Sequence, residues 1–207
     1  MSTVMSPAAA LAKLQQGNEL FVETLKNDST PSLVLDQAKA NSPQRPFAVI
    51  LSCADSRVPP EHIFNCGLGE LFTIRVAGNL VAPTLVGSIE FACESFGTPL
   101  VVVMGHSQCG AVNATLDALI NKTEAPSPGL ESIVQRISVG IKDLVDEASN
   151  KSVEALMPQA IDVNIDHSVQ KIIERSVLLE KRVENQELEI VGANYSLETG
   201  RVEFHTK

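Results

Sequence analysis

What this sequence lacks sets the first limits. No apolar run approaches the ~20 residues that a membrane-spanning helix needs, so no membrane partner is expected. The opening stretch MSTVMSPAAALAKLQQGNELF has no basic start followed by a continuous apolar core. It predicts no secretory signal, and the expected compartment is cytoplasmic. Positive charge is scarce: 16 Lys and Arg stand against 25 Asp and Glu, a formal net charge of -9. A surface of that sign repels nucleic acid and anionic lipid, and neither is expected to bind. Only four cysteines are present, and in a reducing compartment they point to metal ligands, catalytic groups or core residues before disulfides. A dinucleotide fingerprint is missing too. Gly67-Leu68-Gly69 has no third glycine and no helix opening behind it, and reads as a turn.

What is present is an ordinary globular composition, 44% hydrophobic and 20% charged, in a 207-residue chain long enough to bury a core. From Pro7 to about Lys26 the spacing predicts an amphipathic helix, with Leu11, Leu14, Leu20, Phe21 and Leu25 near one face. Asn27 to Pro46 is polar and proline-containing, hence mostly loop. PFAVILSC is a short continuous apolar run of the kind found in a parallel strand covered on both faces. ELFTIRVAGN reads as a second strand ending at Gly78, and Pro83 suits the first turn of a helix running to about Phe96. PLVVVMGH is a third buried strand, and CGAVNATLDALI the helix after it. Lys122 to Gly129 reads as a polar linker. Leu130 to about Arg182 reads as mainly helical, interrupted near Asn150 and Pro158, and ELEIVGANYSLETGRVEFH as a closing hairpin. The alternation predicts an α/β fold: a central, mostly parallel β-sheet flanked by helices, with an N-terminal helical arm and C-terminal helices plus a hairpin. One domain is expected, divided into an arm and loop (1–45), an α/β core (46–121) and the C-terminal helices and hairpin (122–207).

In open α/β sheets ligands bind outside the carboxyl ends of the strands. Two strand ends here carry reactive side chains. The first is Cys53-Ala54-Asp55-Ser56-Arg57; the second is GHSQCG, with His106 and Cys109. Cys109 would open a helix, a position that favours thiolate over thiol. Cys53, His106 and Cys109 together make a three-ligand set for zinc, and three protein ligands leave the fourth position open, as catalytic sites require. Taken singly, a cysteine at a strand end is a small core residue; the pairing of the two strand ends, with Asp55 and Arg57 attached, argues for a site.

At these residues the sequence resembles the β-class carbonic anhydrases, whose signature C-x-D-x-R, then H-x-x-C some fifty residues on, stands here as CADSR and HSQC. SRVPPE, GELFTIRVAGN, GSIEFA, GHSQCGAV and ALAKLQQGNELFV read as family sequence, and the likeness is weakest between about 122 and 165. The resemblance implies reversible hydration of carbon dioxide to bicarbonate. It implies zinc held by Cys53, His106 and Cys109 with water or hydroxide in the fourth position. Asp55 and Arg57 become a catalytic pair that orients the nucleophile. Gln44 matches a substrate-binding glutamine, and Phe72, Ala77 and Phe91 match positions of an apolar pocket for carbon dioxide. Gly110 would allow a backbone N–H to hold a bicarbonate oxygen. A dimer, or a dimer of dimers, is implied. Regulation by bicarbonate in a second pocket is not expected, because Ile50 stands where that pocket has tryptophan, although Arg75 and Tyr195 match its other positions. Two other readings share the motif: hydrolysis of carbonyl sulfide or carbon disulfide, and a non-catalytic zinc protein that senses bicarbonate. Cys66 and Cys93 fall outside the motif and read as inert. His62, His167 and His205 are also outside it, His62 being a candidate proton shuttle or a plain surface residue.

Overall fold

A computed structural model describes residues 5–27, 40–148 and 152–205. Its first element is α1 (Pro7–Lys26), started by Ser6, whose hydroxyl accepts the Ala9 N–H at 3.3 Å. Then come β1 (Ala48–Ser52), the short α2 (Pro60–Ile63), β2 (Leu71–Arg75) and a 3-10 turn at Ala77–Asn79. The chain continues through α3 (Pro83–Phe96), β3 (Leu100–His106) and α4 (Gly110–Asn121), then α5 (Pro128–Glu147), α6 (Val153–Glu174) and α7 (Val177–Glu184). It closes with β4 (Glu189–Tyr195) and β5 (Val202–Phe204). Proline stands at the first turn of α1, α2, α3 and α5, where its missing N–H has no intrahelical partner to lose.

The sheet runs in the order β2-β1-β3-β4-β5. Its first four strands are parallel and β5 returns antiparallel to β4. The expected α/β architecture is present. β1 and β3, the two central strands, are buried at every position, as strands covered by helices on both faces must be. The chain passes from β1 to β2 on one side and then crosses to β3 on the other. The carboxyl ends of β1 and β3 therefore flank the topological switch point, where such sheets open a crevice.

Several expectations are corrected. The second strand stops at Arg75, and the 3-10 turn takes Ala77 to Asn79 out of the sheet. Pro158 does not interrupt the helical region: it sits inside α6, near its start, where the lost N–H bond to the preceding turn is offset by the burial of Ala160, Ile161, Ile165 and Ile172 downstream. The break that does occur, at Arg175 and Ser176, is capped by the Ser176 hydroxyl, which accepts from Leu179 N–H. The interruption near Asn150 lies outside the described residues, as does most of the loop from Asn27 to Pro46. On α1 the buried face is Ala10, Leu14, Gly17, Asn18 and Val22, whereas Leu20 and Leu25 are exposed. A glycine and an amide belong to that face because the chain approaches closely there. A Cβ on Gly17 would sit 2.0 Å from the Phe64 carbonyl oxygen. Among the described residues no helix is long and apolar enough to cross a membrane.

Candidate metal centre

β1 delivers Cys53 one residue past its end, and β3 ends on His106. The chain then reverses through Gln108, which takes the left-handed backbone conformation at φ 59°, and Cys109 caps the start of α4. The sulfurs of Cys53 and Cys109 and a ring nitrogen of His106 all lie within 4.8 Å of one another, and all three residues are buried. Ligand atoms held tetrahedrally at ~2.0–2.3 Å from one ion stand roughly 3.5–4 Å apart, so the cluster fits a single metal ion. His106 Nδ1 lies 2.9 Å from the Ser107 carbonyl oxygen and donates to it. That bond fixes the tautomer and leaves the Nε2 lone pair free. Nε2 is buried without any hydrogen-bond partner, a costly arrangement unless the atom serves as a ligand.

The charges agree with that use. The two thiols are hydrogen-bonded to each other, and their pKa values move in opposite directions. Cys53 is driven down to about 4, first by a hydrogen bond from Cys109 and against burial, with His106 and the Gly78 N–H adding to the effect. Cys109 is pushed upward by the same hydrogen bond and by burial. His106 is penalised by burial, yet the negative charge on Cys53 beside its ring holds its pKa above the ordinary value. A strong metal replaces these protons when it binds. The Gly78 N–H donates to the Cys53 sulfur at 3.4 Å. Gly78 lies at φ 74°, and a Cβ there would meet Ile137 Cδ1 at 2.6 Å, so only glycine presents that amide. Asn164 of α6 holds the same residue from the other side, donating to the Gly78 carbonyl at 2.9 Å.

Asp55 and Arg57 form the expected pair. Arg57 donates from Nε to Oδ1 at 2.9 Å and from Nη2 to Oδ2 at 2.7 Å, and its backbone N–H adds a third bond at 2.9 Å. The guanidinium fork holds the Asp55 carboxyl well below the usual carboxylate range. Arg75, at the end of β2, secures the backbone of this turn: its Nε donates to the Cys53 carbonyl at 3.1 Å and its Nη2 to the Asp55 carbonyl at 2.5 Å. That anchoring role escaped the sequence reading, because a bond to a carbonyl leaves no mark on residue type. Ala77 and Gly110, the latter next in the chain to Cys109, come together on the wall of a largely apolar cavity of about 470 Å³, with Ala111 and Ile133, although Cys53, His106, Cys109, Asp55 and Arg57 do not line it.

Gln44, Phe72 and Phe91 lie elsewhere. Phe72 is in register with Val49. Val49 precedes Cys53 by four residues, so about 13 Å of strand separates the two sites. Phe72 and Phe91 pack on Phe96 with ring centroids 6.1 and 5.6 Å away. Gln44 lines a cleft that Phe96 also borders. These three residues thus share a patch at the opposite end of the sheet, where Phe91 is 53% exposed.

The family model described as "Carbonic anhydrase" matches residues 48–202. Carbonic anhydrase 2 of Mycobacterium tuberculosis is 37% identical over 204 residues, covering 95% of this chain and 91% of the relative. Coccomyxa beta-carbonic anhydrase, solved in complex with acetazolamide, superposes with a TM-score of 0.72 at 25% identity, covering 95% of this chain and 86% of that one. A tetrameric beta-carbonic anhydrase from Sordaria macrospora shares the fold with a TM-score of 0.72 at 19% identity, covering 95% and 96% of the two chains.

Proposed function

The chain belongs to the carbonic anhydrase family, in its β class, and from that membership together with the Cys53–His106–Cys109 cluster we propose that it is a zinc enzyme converting carbon dioxide and water reversibly to bicarbonate and a proton. The observation that carries the metal is the buried, unpartnered Nε2 of His106 facing two sulfurs. Zinc bound there would act as a Lewis acid and bring the pKa of water toward neutrality.

The remaining work falls to the chain. An ionised Asp55 accepts hydrogen bonds and donates none. It therefore accepts a hydrogen bond from the one hydrogen that the attacking oxygen keeps, and leaves an oxygen lone pair turned toward the substrate carbon. Arg57 keeps that carboxylate ionised and holds both its oxygens. Held this way, the carboxylate is kept from swinging onto the ion itself. The apolar wall at Ala77 and Gly110 receives carbon dioxide and excludes competing water. Carbon gains the hydroxyl group, and the second proton of water leaves to solvent.

Self-association belongs to the same reading, since a relative sharing the fold is described as tetrameric. If Gln44, Phe72 and Phe91 serve the substrate, a second copy must bring them, because their own chain holds them a sheet-length from the metal cluster. The test is zinc content measured beside stopped-flow hydration of carbon dioxide. One zinc per chain and rapid hydration are expected, with Cys109→Ala losing both and Asp55→Asn keeping the zinc while losing the rate. A zinc-free active protein, or one that turns over carbonyl sulfide far faster than carbon dioxide, would overturn the assignment.

A further inference from the structure

A second cleft opens between α5, α6 and the segment after the 3-10 turn. Its floor is apolar, formed by Leu80 and Val81. Arg136 projects from α5, and His167, Lys171 and Arg175 come from the last turns of α6 and the residue that caps it. Among the described residues no aspartate or glutamate lines this cleft, in a chain whose formal net charge is -9. Sequence reading placed His167 outside the family motif, and the metal chemistry makes no use of any of the four.

The local charge can be counted. Lys171 is engaged by Glu174, which lies just beyond the wall. Arg136 and Arg175 are in no ion pair among the described residues. Three cations against one carboxylate leave an excess of two positive charges. His167 responds to this field: burial first, and then Lys171, hold its pKa below the ordinary value, with Glu174 opposing and Arg175 adding to the shift. Its imidazole is therefore neutral at pH 7 and available as a hydrogen-bond partner. Two arginine forks match the geometry of a phosphoryl group. At about 210 Å³ the cleft is smaller than the ~300–1,000 Å³ used by drug-sized ligands, which limits the occupant to a compact group.

The geometry points to a binding site for a compact dianionic oxyanion, inorganic phosphate or the phosphoryl group of a small metabolite, at Arg136, His167, Lys171 and Arg175. The site is separate from the metal centre and does not depend on what that centre catalyses. It is tested by calorimetric titration of the full-length, metal-loaded protein with inorganic phosphate at a pH where the dianion dominates. Saturable binding is expected in the wild type and should weaken about tenfold or more in Arg136→Gln/Arg175→Gln, with metal content and circular dichroism unchanged. Ser132→Glu, which brings a carboxylate to the cleft wall, should weaken it similarly and decides the matter if the double variant does not fold. A sugar phosphate that binds markedly tighter than free phosphate assigns the site to a metabolite's phosphoryl group; equal affinity assigns it to phosphate itself. Phosphate binding that survives unchanged in the folded variants would place the anion at the metal and overturn the site. Absence of saturable binding to the wild type would do the same.

Discussion

Arg57 decides what Asp55 can do. An exposed ion pair contributes only ~0–1 kcal/mol to stability, so three convergent bonds on one carboxylate are better explained by orientation than by folding energy. Arg57→Ala is expected to retain its zinc and lose roughly 10–100-fold in kcat/KM. Arg57→Lys should recover little of that loss, because a lysine is a single point charge without the fork. Near-wild-type turnover in Arg57→Ala would remove the pair from the mechanism. Outside the site, Cys66 and Cys93 titrate in the opposite sense to Cys53. Burial pushes Cys66 up to about 12 and Cys93 up to about 11. Unfolded thiols ionise near pH 8.5 while these stay protonated. The stability they contribute is therefore complete below about pH 8.5 and is lost as pH rises toward 11–12, at ~1.4 kcal/mol per pH unit for each thiol. Urea midpoints measured from pH 7.5 to 10.5 should fall steeply in the wild type and less in Cys66→Ala/Cys93→Ala. Equal slopes would show that the thiols are not protected. The Cys-His-Cys cluster and the Asp–Arg pairing were legible in sequence because their residue types are chemically distinctive and stand at strand ends. The roles of Arg75 and Asn164 were not, since each acts on a backbone carbonyl far along the chain.

Among the elements, α1 separates what periodicity reveals from what it hides. Leucine spacing located the helix and its ends and put Leu11, Leu14 and Phe21 rightly against the core, but it counted the exposed Leu20 and Leu25 and missed Gly17 and Asn18, because the chain packed there approaches too closely for large side chains at Gly17. The contact is completed by Asn18, which is 6% exposed. Its amide donates to the Ile63 carbonyl at 3.2 Å and to the Gly200 carbonyl at 2.8 Å, while its oxygen accepts the Val202 N–H at 2.9 Å. One side chain thus fastens the N-terminal helix to α2 and to the closing hairpin. Asn18→Ala leaves two buried backbone carbonyls and one half-buried N–H without this partner and is expected to lower stability by about 1–3 kcal/mol, read as a shift in urea midpoint at unchanged slope. A loss below about 0.5 kcal/mol would mean that water replaces the amide. Pro158 makes the same point from the other direction: its local rule predicts a break, and downstream apolar burial overrides it.

At the scale of the whole molecule, the sheet sorts the site residues by strand end. The metal cluster, the Asp–Arg pair, Ala77 and Gly110 gather at the carboxyl ends of the parallel strands. Gln44, Phe72 and Phe91 gather on the far side, around Phe96. Strand–helix alternation made the fold class legible, but it could not reveal this division, because matching a residue to a family position does not say which copy's site it serves. An apolar face with Phe91 53% exposed is what a second copy would cover. Subunit mixing tests the consequence. Take one variant with a dead metal cluster, Cys109→Ala, and a second with a disabled pocket, Gln44→Ala/Phe91→Ala, each close to inactive alone. If a site draws on both copies, a mixed dimer holds one complete site, with the metal cluster from the pocket variant and the pocket from the other chain. Equal co-expression should then restore about a quarter of wild-type carbon dioxide hydration, since half the dimers are mixed and half their sites are whole. If each chain instead completes its own site, the mixture stays as inactive as its parents, and the far-side residues serve packing alone.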